Sequence, residues 1–222
     1  MRSARETIAA LTRSFDERDV ALVGGDPLHF EGYEQQLARA RNDTGLNEAC
    51  LWGWADIDGV SCALVVMDFA FLGGSMGLAV GEKVSRAFDA ARKERAPVVT
   101  VCASGGARMQ EGIVALAQMA KTLEAHRRHA ERGLAHVSVL TSPTTGGVYA
   151  SFAALADVII AEPHATVAFA GPRVVAELTG EAPPPDVHTA EFALEQGLID
   201  AVVPADSLAE VIARALRGLR HD

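Results

Sequence analysis

Hydrophobic and polar positions along the chain follow two alternating periods, and the switch between them recurs. Residues 49–56 and 60–66 are apolar runs separated by Asp58-Gly59, a dipeptide that favours a tight hairpin, so they read as two paired strands. A helix precedes them at 31–42 and stops at Gly45. After a glycine-rich stretch at 69–77, Val80, Val84, Phe88 and Ala91 share one helical face over 78–95, ahead of Pro97. The run 98–102 is apolar at nearly every position, as a strand buried on both faces must be. Ser104-Gly105-Gly106-Ala107 forms the next loop and a long helix follows. There Met109, Ile113, Leu116, Ala120 and Leu123 step by four and three, a seam expected to face the core, and Gly133 ends the helix.

A third unit has its strand at 136–140, its loop at 143–147 and a short helix at 148–155, with further strands at 158–161 and 166–170. Downstream, 172–178 and 189–196 read as helices, the second stopped by Gly197, and Pro183-Pro184-Pro185 reads as a rigid connector. Leu208, Val211, Ile212, Ala215, Leu216 and Leu219 stripe a terminal helix over 206–220, facing either the core or another subunit. Repeated strand and helix units without a long polar linker define an α/β fold. The expected division is a helical or irregular extension over 1–25 and one domain over 26–222.

Composition narrows the class. Of 222 residues, 49% are hydrophobic, enough for a core that needs neither disulfides nor a metal. A net charge of −9 without a basic tail argues against nucleic acid as a partner. Three cysteines, Cys50, Cys62 and Cys102, have no CxxC spacing, so they read as reduced thiols of a cytoplasmic protein, and no zinc site is expected. The first nineteen residues alternate Arg and Glu without the apolar core of an export signal. The most lipid-like window, 62–80, is broken by Asp68 and three glycines, so no membrane span is expected.

The candidate chemistry lies in the loops. Consecutive glycines between a buried strand and a helix start leave backbone N–H groups open to an anion, although a lone Gly-Gly pair is also an ordinary tight turn. Neither G-x-x-x-x-G-K-[ST] nor G-x-G-x-x-G occurs, which disfavours a nucleotide cradle. Gly73-Gly74-Ser75-Met76-Gly77 matches the G-x-S-x-G elbow of serine hydrolases, but the residues before it lack the strands that fold needs. The remaining reading is an oxyanion pocket for a thioester enolate, with Gly105, Gly106, Gly146 and Gly147 as backbone donors. Glu111 reads as a residue drawn to its own helix's first turn, and Arg127, Arg128 and Arg132 with His126 and His129 read as a solvated face.

The strings Phe71-Leu-Gly-Gly-Ser-Met-Gly77, Ser104-Gly-Gly-Ala-Arg-Met-Gln-Glu111, Pro143-Thr-Thr-Gly-Gly-Val148, Ala161-Glu-Pro163 and Phe169-Ala-Gly-Pro-Arg173 resemble the β subunit of bacterial acetyl-CoA carboxylase carboxyltransferase. The resemblance implies a crotonase-like fold of repeated ββα units and an active site shared with an α-type subunit in a hetero-oligomer. It implies carboxyl transfer from biotin, held on a separate biotin carboxyl carrier protein, to acetyl-CoA. It assigns Gly146 and Gly147 to an oxyanion hole, with Gly105 and Gly106 shaping the pocket. It makes Gly74, Ser75, Ala107, Arg108, Phe169, Gly171, Pro172 and Arg173 substrate-lining. The chain departs from the family in lacking a four-cysteine zinc ribbon. A malonyl-thioester or malonate decarboxylase subunit uses the same enolate pocket, and a non-catalytic scaffold subunit is the reading of another class.

Overall fold

Ser3 opens the first helix with a reciprocal cap: its hydroxyl accepts from the Glu6 amide while the Glu6 carboxylate accepts from the Ser3 amide, and α1 (Ala4–Leu11) follows. Ala4, Ile8 and Leu11 of α1 are buried in the core. The computed structural model describes residues 2–184 and 186–219, apart from the side chains of Pro172 and Arg173. Pro185 of the expected connector and Arg220 of the expected last helix lie outside the described residues. A strand that the hydrophobic pattern did not announce, β1 (Ser14–Arg18), comes next. It is polar because it is the sheet's edge, bonded on one side only to β2.

Helix α2 (Tyr33–Thr44) ends at Gly45 in the left-handed conformation, as its sequence requires. The antiparallel hairpin β2 (Cys50–Ile57) and β3 (Val60–Met67) turns through Asp58 and Gly59, both at positive φ. Then come α3 (Leu78–Glu94), β4 (Val98–Ser104), α4 (Gly112–Ala130), β5 (His136–Thr145) and the one-turn α5 (Gly146–Tyr149). The chain continues through β6 (Val158–Ala161), β7 (Val167–Ala168), α6 (Pro172–Thr179), α7 (Ala190–Glu195), β8 (Ala201–Val202) and α8 (Leu208–Gly218). Among the described residues the sheet has eight strands in the order β1-β2-β3-β4-β5-β6-β8, with β7 paired to β5. From β3 onward its pairings are parallel.

Helix α3 lies against the sheet with α4 packed on it, and α1 and α8 also lie against the sheet, which is why β4 is buried at every position. The α8 stripe faces inward: Leu208, Ile212, Ala213 and Leu216 are buried, so this helix is core and not a docking surface. For α4 the expectation is reversed. Met109, Ile113, Leu116 and Leu123 are exposed, Met109 and Ile113 by 77% and 72%. The buried face carries Ala115, Gln118, Thr122, Ala125 and His129 instead. Close approach to α3 explains the inversion: a Cβ on Gly81 of α3 would lie 2.4 Å from Gln118 Oε1, leaving no room there for leucine-sized groups.

Candidate active site

Parallel pairing puts the C-terminal ends of β3, β4 and β5 side by side, and the three glycine segments leave from those ends. In sheets of this kind the crevice outside those ends is where ligands bind. The turn 72–77 folds onto the exit of β4 through backbone bonds. Gly105 N–H donates to Gly73 O at 2.8 Å, Met76 N–H to Gly106 O at 2.8 Å, and Arg108 N–H to Met76 O at 3.0 Å. Gly74 sits so close to β4 that a Cβ would be 1.9 Å from Ala103 O, so it packs against the strand. Gly106 and Gly146 touch directly: a Cβ on Gly106 would stand 3.1 Å from Gly146 Cα and 3.2 Å from Gly147 N. Both have positive φ, +114° and +60°, so a side chain at either is strained as well as crowded.

Counting where these amides donate revises the paired-glycine expectation. Gly105 N–H is bonded to Gly73 O, Gly106 N–H to Ser104 Oγ at 3.0 Å, and Gly146 N–H to Phe169 O at 2.9 Å. The N–H groups of Ala107 and Gly147 have no hydrogen-bond partner among the described residues. Gly147 stands in the first turn of α5, where no preceding carbonyl is in register, and Ala107 lies between two peptides committed to Met76. Gly147 is buried and Ala107 half-buried. Buried amides are almost always paired, so the unpaired Gly147 N–H, with that of Ala107 beside it on the touching loop, leaves room for an acceptor atom.

The side chains expected to line a substrate pocket divide. Phe169 comes to the site through its carbonyl, which accepts from Gly146 N–H, and the residue is 67% exposed, while Gly171 is half-buried at the start of α6. The side chains of Pro172 and Arg173 lie outside the described residues. Arg108 is fully buried and wholly committed to protein partners. It grips Glu48 with two nitrogens at 2.6 and 3.0 Å, and reaches Tyr33 Oη at 3.3 Å, Ser75 O at 2.7 Å and Ser75 Oγ at 3.0 Å. Burial works against the guanidinium's charge, but the Glu48 carboxylate and the hydrogen bonds to Glu48 and Tyr33 hold its pKa above the ordinary arginine value. A guanidinium cannot take a proton, so Ser75, whose hydroxyl is held by it, lacks the base that a nucleophilic serine needs.

Glu111 also departs from expectation, serving a different helix from the one it precedes. Its carboxylate accepts from the Leu78 amide at 2.6 Å, capping α3 across the structure, and from the Tyr33 hydroxyl at 2.6 Å. Burial pushes the Tyr33 phenol well above its usual pKa. Tyr33 and Glu48 are the site-supporting residues that sequence reading missed. For Glu48 the signal was a carboxylate just ahead of the apolar run 49–55; for Tyr33 there was none. Arg127 and Arg128 pair with Glu124, Glu131 and Asp89, while His126 and His129 pack edge-on against Phe88. Among the described residues no group of three or more His, Cys, Asp or Glu is placed to hold a metal, and no helix is long and apolar enough to cross a membrane.

A sheet that is parallel from β3 onward, with touching glycine loops at its strand ends, fits the crotonase-like carboxyltransferase fold that the sequence motifs imply. Residues 17–216 match the family described as Carboxyl transferase domain. The fold superimposes on transcarboxylase 12S, solved with methylmalonyl-coenzyme A and methylmalonic acid bound, with a TM-score of 0.82 and 28% identity, covering 97% of this chain and 41% of that one. A malonate decarboxylase hetero-dimer from Pseudomonas shares the fold, with a TM-score of 0.76 at 22% identity. The acetyl-coenzyme A carboxylase carboxyl transferase subunit beta of Rubrobacter xylanophilus is 54% identical over 202 residues, 90% of this chain and 79% of that protein. That of Pelotomaculum thermopropionicum is 50% identical over 203 residues, 91% and 72%. The chain belongs to the family of acetyl-coenzyme A carboxylase carboxyl transferase beta subunits.

Proposed function

We propose that this chain is the β-type half of an acyl-CoA carboxyltransferase, and that the N–H groups of Gly147 and Ala107 hold the thioester oxygen of acetyl-CoA as it gains charge. The observation that carries this reading is the pair of unbonded amides on touching loops. In a site closed to water a single donor of this kind contributes about 2.7–4 kcal/mol to the transition state, so no side-chain acid or base from this chain is required. Carboxybiotin on a separate carrier protein is the second substrate and supplies the carboxyl group. The chain's own tasks are to orient the acyl carbonyl, stabilise the enolate oxygen and keep Phe169 and Gly171 beside the acyl group.

An α-type subunit completes the site in a hetero-oligomer. The support for a protein partner is the apolar face of α4, exposed at Ile113, Leu116 and Leu123, and extended by Met109 in the turn before it. This helix runs beside the site, since a Cβ on Gly147 would lie 3.1 Å from Met119 Sδ. The complex works in the cytoplasm, in keeping with three free and buried thiols, which burial pushes up to about 12. Carboxyl transfer is preferred over decarboxylation because the relatives at 54% and 50% identity are carboxyl transferases, while the decarboxylase likeness is one of fold. Unbonded amides weigh against a scaffold that lost its chemistry.

The test is reconstitution of the full chain with an α-type carboxyltransferase subunit and a carboxybiotinylated carrier. Malonyl-CoA formation from acetyl-CoA that requires all three supports the reading. Release of CO₂ from malonyl-CoA without biotin, or no turnover with the partner bound, would overturn it in favour of the decarboxylase or the scaffold.

A further inference from the structure

We infer that Arg108, with Glu48 and Glu111, is a positioning residue for the reaction: the buried ion cluster sets the direction of the Ala107 N–H, and with it one of the two oxyanion donors. This rests on the functional reading above and deepens it.

The cluster ties Glu48 and Tyr33, from distant parts of the chain, to the 72–77 and 105–108 segments that backbone bonds already bridge. Arg108 directly follows Ala107, and its guanidinium uses all five of its N–H groups on Glu48, Tyr33 and both oxygens of Ser75. Ser75 precedes Met76, whose N–H and carbonyl bracket Ala107 by bonding Gly106 O and Arg108 N–H. Ala107 is therefore held from both sides: by the main-chain bridge to Met76, and by a side-chain clamp on the residue next to that bridge. One guanidinium faces the carboxyl groups of both Glu48 and Glu111, all three side chains fully buried. Glu111 meets the start of the 17-residue α3 at the Leu78 amide, where the helix dipole favours an anion. The Tyr33 hydroxyl bridges Arg108 and Glu111.

Two glycines make the clamp possible. A Cβ on Gly77 would stand 2.3 Å from Glu111 Oε1, and one on Gly24 would stand 2.4 Å from Glu48 Oε2. An ion cluster without access to solvent is costly to assemble and is weak evidence of a stabilising role. Its position one residue from an unbonded amide is what gives it a function.

Removal of the whole side chain in Arg108→Ala strands two buried carboxylates and is expected to unfold the chain, so the conservative variants Arg108→Lys and Glu48→Gln carry the test. Each is assembled with the α-type subunit and carrier, and kcat and KM are measured together with amide exchange by mass spectrometry. The expected result is a fall in kcat of roughly 10- to 100-fold with KM for acetyl-CoA within about twofold, because a displaced donor weakens the transition state more than substrate binding. Exchange should quicken in peptides spanning 72–79 and 104–112. Ile212→Val, a core truncation in α8, is the matched control: it lowers Tm but leaves kcat unchanged. Unchanged exchange in both loops, or a loss of activity that merely follows Tm, would overturn the inference. Absence of carboxyl transfer in the unsubstituted complex would instead overturn the functional reading, and loop exchange alone would then decide the role of the cluster.

Discussion

At the scale of single residues, glycines act in two ways that predict different defects. Gly147 offers its N–H, and the space where a Cβ would fall is bounded by the flexible Met119 at 3.1 Å and Ala107 Cβ at 3.4 Å. Gly147→Val is therefore expected to keep the fold while turning the amide from the acyl oxygen, lowering kcat about 10²- to 10³-fold, as loss of an oxyanion donor does. Steady-state malonyl-CoA formation beside a melting curve checks this, and an unaltered rate would remove the loop from the mechanism. Gly77 supports from a distance, leaving room for the Glu111 carboxylate. Gly77→Ala is expected to cost about 1–3 kcal/mol of stability in urea titrations, since the displaced carboxylate is buried. The glycine pairs were legible in the sequence, but which of their amides were free was not. That depended on Gly73 O, Ser104 Oγ and Phe169 O, acceptors supplied by other parts of the fold.

Among the helices, a hydrophobic stripe identifies a face without saying what covers it. The stripe of α8 packs on the sheet, and Ile212→Ala there should cost about 2–5 kcal/mol in thermal or chemical denaturation. The stripe of α4 faces outward because α3 approaches its other side too closely for large side chains. Ile113→Ser and Leu116→Ser should accordingly leave Tm of the isolated chain almost unchanged while weakening association with the α-type subunit at least tenfold, read by calorimetric titration. Equal affinity would place the partner elsewhere. Nothing in the periodicity of α4 separates these outcomes, since its apolar spacing has the same form as that of α8. The strand β1 was hidden for a related reason: an edge strand exposes one side and need not be apolar.

For the molecule as a whole, an aromatic cluster couples stability to pH. His126, His129 and His136 pack edge-on around Phe88. Burial lowers the pKa of each, that of His136 furthest, with the neighbouring imidazoles adding to the effect on His136. The folded chain thus holds these rings neutral at a pH where the unfolded chain protonates them. Their stability is fully present above the unfolded value of about 6.5 and is lost as pH falls below it, by up to about 1.4 kcal/mol per pH unit for each proton taken up on unfolding. Urea titrations between pH 7.5 and 5 should show this decline, and His136→Gln should flatten it; a profile unchanged by that substitution would exclude the cluster as its source. Asp157 opposes the shift at His126 and His129, so His136 is expected to dominate.

The sequence by itself determined the repeated strand, glycine turn and helix, the hairpin at Asp58-Gly59, the helix stop at Gly45 and the family, because each is a local choice of backbone conformation or an ordered set of short motifs. Tertiary structure alone decided that Arg108 faces inward to Glu48, that Glu111 caps α3, that α4 shows its apolar side to solvent, and that Ala107 replaces its glycine neighbours as an open donor. Those outcomes depend on which groups from distant segments arrive as partners. Hydrogen bonds and ion pairs are satisfied in space, and spacing along a chain does not record them.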